Sequence, residues 1–316
     1  MKINLDSIKN KDNFKGNLNN LKDSVNNAAS GATQKVKGMA IKSKDNVINT
    51  IDANGNGEVD IEDIIIIGLR TPGVKINRRD FLERELVKSY PQSVIEDAIM
   101  YNPAHAKISS IDIDKIANEV IKYERNLVSG ISLGLGIPGG LAMTATIPAD
   151  IIQYYGYMLR ACQKLMYLYG FPEIDTEEQG QKFDSETLNI LIICLGVMYG
   201  VQGTNRALKT IATALGKGVE KKLLNTALTK GSFYPFIKAV AKWFNKNMTK
   251  KVFAGFFKKS IPVVGGVIGG GITYLSFKPC CDKLKISLQD TLLSNPENYN
   301  SKDEVDLTDI IDYDYE

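Results

Sequence analysis

Residues 52–63 read Asp-Ala-Asn-Gly-Asn-Gly-Glu-Val-Asp-Ile-Glu-Asp. Asp52, Asn54, Asn56, Glu58, Asp60 and Asp63 fall at positions one, three, five, seven, nine and twelve of that run, and Gly57 falls at six. Hard oxygens at this spacing suit Ca²⁺, which takes about six to eight of them at about 2.3–2.6 Å. Asp52, Asn54 and Asn56 would give side-chain oxygens, and Glu58 its backbone carbonyl. Asp60 would bind directly or through water, and Asp63 would close the site. Gly57 sits where the loop turns too sharply for a side chain. Position twelve is Asp instead of the usual bidentate Glu, and position five is Asn, so the expected Ca²⁺ site is weak. The competing reading is an Asx-rich turn that caps a helix starting at Ile61 and holds no ion.

A second constellation is cationic. Lys238, Lys242, Lys246 and Lys250 recur every four residues, so they share one helix face, with Trp243, Phe244, Phe253, Phe256 and Phe257 interleaved. Long Lys chains snorkel and aromatic rings settle at interfacial depth, which points to an anionic membrane surface as partner. Each such Lys contributes about 1 kcal/mol near an anionic leaflet. Nucleic acid fits less well, because Arg is absent from 207 to 316 and guanidinium is the favoured reader of bases and phosphates. The bland alternative is a core helix with a solvated Lys face. Cys280 and Cys281 follow closely and read as buried thiols.

A third candidate is a polar site. Residues 126–149 carry no charge, and Asp150 ends that stretch. Asp150 either caps the helix that runs on through Tyr154 or forms a polar site with Gln153, Tyr154 and Arg160. Catalytic machinery is not expected. His105 is the one histidine, no GxSxG or Walker A sequence occurs, and the glycine runs lack the strand and Lys of a phosphate loop. The chain therefore reads as non-enzymatic.

The elements that must position these groups are helical. Period-2 alternation is missing, and helices are expected over 79–89, 91–100, 111–129, 149–169, 185–203, 205–229, 235–258 and 262–293, giving an all-α fold without substantial sheet. The net charge of +3 conceals segregation. Residues 1–50 hold nine Lys and four Asp (+5), residues 221–281 eleven Lys and no acid (+11), and residues 290–316 nine acids and one Lys (−8). Apolar residues recur every eleven positions in 1–50 (Phe14, Val25, Val36, Val47), the pattern of a marginal amphipathic helix or a disordered tail. Glycines four apart, such as Gly130 and Gly134, Gly196 and Gly200, and Gly265 and Gly269, allow close helix packing or conditional membrane insertion. The expected parts are a Lys/Asn-rich tail (1–50), the calcium loop and its exiting helix (51–77), a helical domain (78–294) and an acidic tail (295–316). No apolar signal segment opens the chain, so a cytoplasmic, peripherally membrane-associated protein is expected.

Several ordered motifs resemble the EcsC family. These are Ile137-Pro138-Gly139-Gly140, then Ile147-Pro148-Ala149-Asp150-Ile151, then Gln153-Tyr154. They continue with Gln163-Lys164-Leu165-Met166-Tyr167-Leu168-Tyr169-Gly170-Phe171-Pro172 and close with Ile261-Pro262-Val263-Val264-Gly265-Gly266. The resemblance covers roughly 78 to 290. The calcium run lies outside it and is similar to EF-hand and, in its Asp at twelve, dockerin loops. The family resemblance implies a helical protein acting beside a membrane transport complex, and it carries over no catalytic residue. Two other readings stay open: a protein that inserts into and permeabilises bilayers, and a soluble enzyme.

Overall fold

The computed structural model describes residues 60–131, 149–174, 185–218, 227–247 and 270–295, with Ala53 and Leu224. All belong to the compact unit from Val59 onward except Ala53. Every regular element among them is helical, and none is a strand. The helices are α1 (Ile61–Arg70), α2 (Arg78–Leu86), α3 (Gln92–Met100), α4 (Ser110–Ile131), α5 (Ala149–Leu168), α6 (Ser185–Tyr199), α7 (Thr204–Gly216), α8 (Tyr234–Asn247) and α9 (Gly270–Gln289). The two terminal tails and the glycine-rich runs 132–148 and 260–269 lie outside the described residues.

The centre of the packing is α6. Its sequence is apolar on all sides, and Leu188 and every residue from Ile190 to Tyr199 are buried. A helix without a polar face must be enclosed, and α1, α5, α7, α8 and α9 pack around it. The remaining helices add an outer layer: α4 lies on α5 and α9, and the α2–α3 pair lies beside α5 through α2.

Small residues set two of these crossings. A Cβ on Gly196 of α6 would come within 2.5 Å of Val240 Cγ2 on α8 and 2.7 Å of Thr204 Cγ2 on α7. Gly156 of α5 is looser, with Val74 Cγ2 at 3.5 Å from the position a Cβ would take. Arg78 ties α2 to α3. Its buried guanidinium donates to the carbonyls of Ala98 (3.1 Å), Ile99 (2.5 Å) and Tyr101 (3.0 Å) at the C-terminus of α3, and to Phe171 (3.2 Å). Those carbonyls have no partners within their own helix, and a cation at that end also complements the helix dipole.

Two helix ends correct the sequence reading. The span expected over 185–203 stops at Tyr199, where Gly200 takes φ +73° and Val201 N–H bonds back to Gly196 O at 2.8 Å, closing a Schellman turn. The span expected over 205–229 stops at Gly216, with Gly218 at φ +71°. The apolar period continues beyond Gly216, but a left-handed glycine ends the helix regardless of that pattern. In α9 the helix runs through Pro279, as it does in the span expected over 262–293. Leu275, the residue whose carbonyl loses its donor, is exposed, so water can satisfy it.

The two glycines should respond in opposite directions to the same change. Gly196→Ala should lower unfolding stability by about 1–3 kcal/mol through overpacking. Gly156→Ala should leave it unchanged or raise it by up to about 1 kcal/mol, as expected for a helix interior with room for a methyl. Urea unfolding of both variants checks the pair.

Candidate functional site

Along α4 the buried residues are Ile113, Ala117, Val120, Ile121, Glu124 and Val128. The spacing of three and four marks one face, and Glu124 lies in the middle of it. Its carboxylate is fully buried, and such a charge must be paired. α5 supplies the partners from Arg160 and Lys164, four residues apart on one face. Arg160 donates from Nε to Glu124 Oε2 at 2.9 Å and from Nη2 to Oε1 at 3.1 Å. Lys164 Nζ reaches Oε1 at 2.5 Å. Arg160 also donates from Nη1 to the Gly73 carbonyl, so the cluster holds the α1–α2 connection as well.

Arg160 and Lys164 form the inner wall of a cavity of about 480 Å³ between α2, α4 and α5, reached past Arg84, Glu85, Lys88, Glu119 and Tyr123. Two cations meet one carboxylate at its base, a formal excess of one positive charge. Aromatic faces answer part of that excess: Lys164 Nζ lies 5.4 Å from the Tyr123 ring centroid and 5.7 Å from that of Phe81. Burial pulls the Lys164 pKa below the usual lysine range, and Glu124 offsets only part of that pull. At the mouth, Glu85 accepts from Arg84 at 3.1 Å and Lys88 at 2.9 Å. Burial works against the Glu85 charge, but the two bonds outweigh it and hold its carboxyl below the ordinary range.

The residues singled out in the sequence are distributed elsewhere. Asp60 is the N-cap of α1: its Oδ1 accepts from Glu62 N at 2.8 Å, and its own N–H donates to Asp63 Oδ2 at 2.7 Å. The two acids thus form a reciprocal capping box, with Asp63 fully buried. Asp52, Asn54, Asn56 and Glu58 lie outside the described residues, and no cluster of metal-ligating side chains occurs among the described ones. Tyr154 is buried and shares a hydrogen bond of 3.1 Å with Ser276 of α9. Arg160 instead pairs with Glu124, so these two members of the expected polar site serve different neighbours. The side chains of Asp150 and Gln153 fall outside the description.

On α8, Lys238 and Lys242 are exposed, whereas Ile237, Val240 and Phe244 are buried. Trp243 is only partly exposed, with its ring 4.8 Å from Tyr199 and 5.0 Å from Phe244. The Lys246 side chain and Lys250 lie outside the description. His105 is exposed on a turn, stacked 4.2 Å from Tyr101. All four cysteines are free and buried, and burial raises the Cys280 thiol to about 12.

The segment from Gln163 to Pro172 is a structural corner. Gln163 Nε2 donates to Val74 O at 3.0 Å, and its Oε1 accepts from Ile76 N at 2.9 Å. Tyr167 OH donates to Ile76 O at 3.2 Å and accepts from Ile174 N at 3.3 Å. Lys164, between them, faces the cavity. The sequence reading missed Glu124 and Lys164. The signal that could have found them is an acid within the apolar stripe of α4, opposite two cations spaced by four. Comparison of the chain with protein-family models, curated proteins and solved structures found no match.

The charge balance makes a test of the cluster. Glu124→Gln leaves two buried cations uncompensated and should cost about 3–5 kcal/mol. Adding Lys164→Met to it restores the original excess of one charge and should recover part of that loss, so the two changes will be non-additive in a double-mutant cycle read by urea unfolding.

Proposed function

We propose that the protein is a non-enzymatic helical protein of the EcsC type that associates reversibly with anionic membrane surfaces beside a transport complex, with a weak Ca²⁺ loop tuning it. The observation that supports this most directly is the division of α8. Its inner face is anchored by Ile237, Val240 and Phe244, while Lys238 and Lys242 stand exposed one turn apart, with Tyr234 exposed at the same end. Lys238 Nζ lies 4.6 Å from the Tyr234 ring, so a cation and an aromatic group are presented together. No described helix is long and apolar enough to cross a membrane, and a peripheral mode of attachment needs none.

Four Lys near a surface of about −30 mV contribute roughly 4 kcal/mol in the favourable limit. The attraction weakens with salt, because screening acts beyond about 8 Å at physiological ionic strength. Flotation with vesicles of anionic and neutral lipid tests the reading. Binding should be confined to anionic vesicles and should fall as salt rises. The Lys238→Gln, Lys242→Gln, Lys246→Gln, Lys250→Gln variant should lose it while keeping its helical circular dichroism. Equal binding by the variant at low and high salt would overturn the assignment to α8.

The calcium component rests on sequence spacing, with oxygen-bearing residues at positions one, three, five, seven, nine and twelve of residues 52–63. Calorimetry at millimolar Ca²⁺ should give a dissociation constant of about 10⁻⁵–10⁻³ M. The heat should vanish in Asp52→Ala, and identical heats in the two proteins would sink the calcium reading.

A further inference from the structure

We infer that the cavity between α2, α4 and α5 is a binding site for a phosphomonoester, with Lys164 and Arg160 at its base and Arg84 and Lys88 at its mouth. The case begins with charge. Burying an ion without full compensation is costly, and here two buried or nearly buried cations share one carboxylate. The side chains of Arg160 and Lys164 are only 18% and 5% exposed, so bulk water does little to dissipate the excess. An anion entering the cavity would complete the balance that Glu124 leaves unfinished.

Donor capacity points the same way. An ammonium has three N–H groups, and among the described residues Lys164 donates one hydrogen bond, to Glu124. Its flanks are aromatic rings, which attract the charge but accept its protons poorly. Among the described residues Arg84 donates only from Nε, to Glu85, which leaves both terminal nitrogens for a ligand. These donors converge from α2 and α5. A tetrahedral phosphoryl group can accept from several directions at once, whereas a carboxylate offers two oxygens in one plane. Tyr123 and Val120 add an apolar wall that suits the organic part of an ester. The volume lies within the usual range for small-ligand sites, about 300–1,000 Å³. A metal cation is the wrong sign for this cavity: Glu85 is engaged by Arg84 and Lys88, Glu124 by Arg160 and Lys164, and the third carboxylate, Glu119, lies exposed beside Lys122, so four cations face three acids.

The same group can come from a soluble ester or from a lipid headgroup, and the experiment separates them. Calorimetry on the full chain at constant ionic strength would use glycerol 3-phosphate, inorganic phosphate and, as a neutral control, glycerol. Flotation would compare phosphatidylcholine vesicles containing phosphatidic acid, a phosphomonoester, with vesicles of matched charge containing the phosphodiester phosphatidylglycerol. Saturable binding of both soluble phosphates and none of glycerol is expected, with affinity reduced about tenfold or more in Lys164→Met and in Arg84→Gln/Lys88→Gln. The double variant changes exposed residues, so it decides the matter if Lys164→Met folds poorly. Preference for phosphatidic acid that the double variant abolishes assigns the ligand to a headgroup. Soluble binding without that preference assigns it to a free ester. The proposal is overturned if neither soluble phosphate nor phosphatidic acid is bound selectively, or if the double variant matches wild type in both assays.

Discussion

Glu124 is fully buried, and its carboxylate is paired with both Arg160 and Lys164. That requirement reaches well beyond three side chains. It fixes the rotation of α4 about its axis, since the carboxylate must face α5. It fixes the register of the two helices, since two cations four residues apart must meet one group. Through Arg160 and the Gly73 carbonyl it holds the connection that delivers the chain from α1 into α2. Gln163 and Tyr167, on the same helix, grip Val74 and Ile76 a few residues further on. α5 therefore organises its surroundings by polar bonds on one side, while on the other its apolar residues join the packing around α6. Replacing the ion pair by apolar residues of similar volume could well be neutral for stability, as buried pairs often are. What the charges secure here is the pairing of α4 with α5 and a cavity with two cations at its base.

The helical character of the chain was legible because period and punctuation agree over most of it. Ile61 was expected as the start of the exiting helix, and it is the first residue of α1. The ends were less legible. Gly200 and Gly218 look like tolerable interior glycines until the backbone shows φ above zero, and nothing in apolar spacing distinguishes the two cases. Pro279 did not mislead: the expected span 262–293 ran through it, and so does α9. Within the calcium run, Asp60 and Asp63 form the capping box of α1, the cap that the alternative reading expected.

The candidate cavity was only half visible. Arg160 was grouped with Asp150, Gln153 and Tyr154, but Tyr154 lies six residues earlier and so on a different side of the helix. Assigning it to Glu124 requires knowing that α4 and α5 are neighbours, and pairing between distant segments is what a single sequence states least. Lys164 was read only as part of a motif. In three dimensions the motif divides its labour: Gln163 and Tyr167 fasten the backbone, Lys164 meets the cavity, and Gly170 lets Leu293 approach, with the Leu293 carbonyl 2.9 Å from where a Cβ would lie. A family-like signature can thus be mainly a scaffold, with one chemically active position inside it.

The packing of α8 also bears on how the protein could meet a membrane. Phe244 is fully buried, and its ring lies 5.4 Å from Tyr155 and 5.2 Å from Tyr199. Trp243 covers the outer side of Tyr199. Insertion of this helix into a bilayer would first have to dismantle that cluster. Burying a large aromatic side chain is worth about 1.5–3 kcal/mol, and a bilayer would return such energy to α8 but not to the rings it leaves behind. Withdrawing α8 would also strip Val240 from Gly196 of the central helix. The exposed Lys238 and Lys242 face none of these costs, because they can engage an anionic surface with α8 still in its place. The packing therefore makes withdrawal of α8 from the helical domain costly, while Lys238 and Lys242 stay exposed on its outer face.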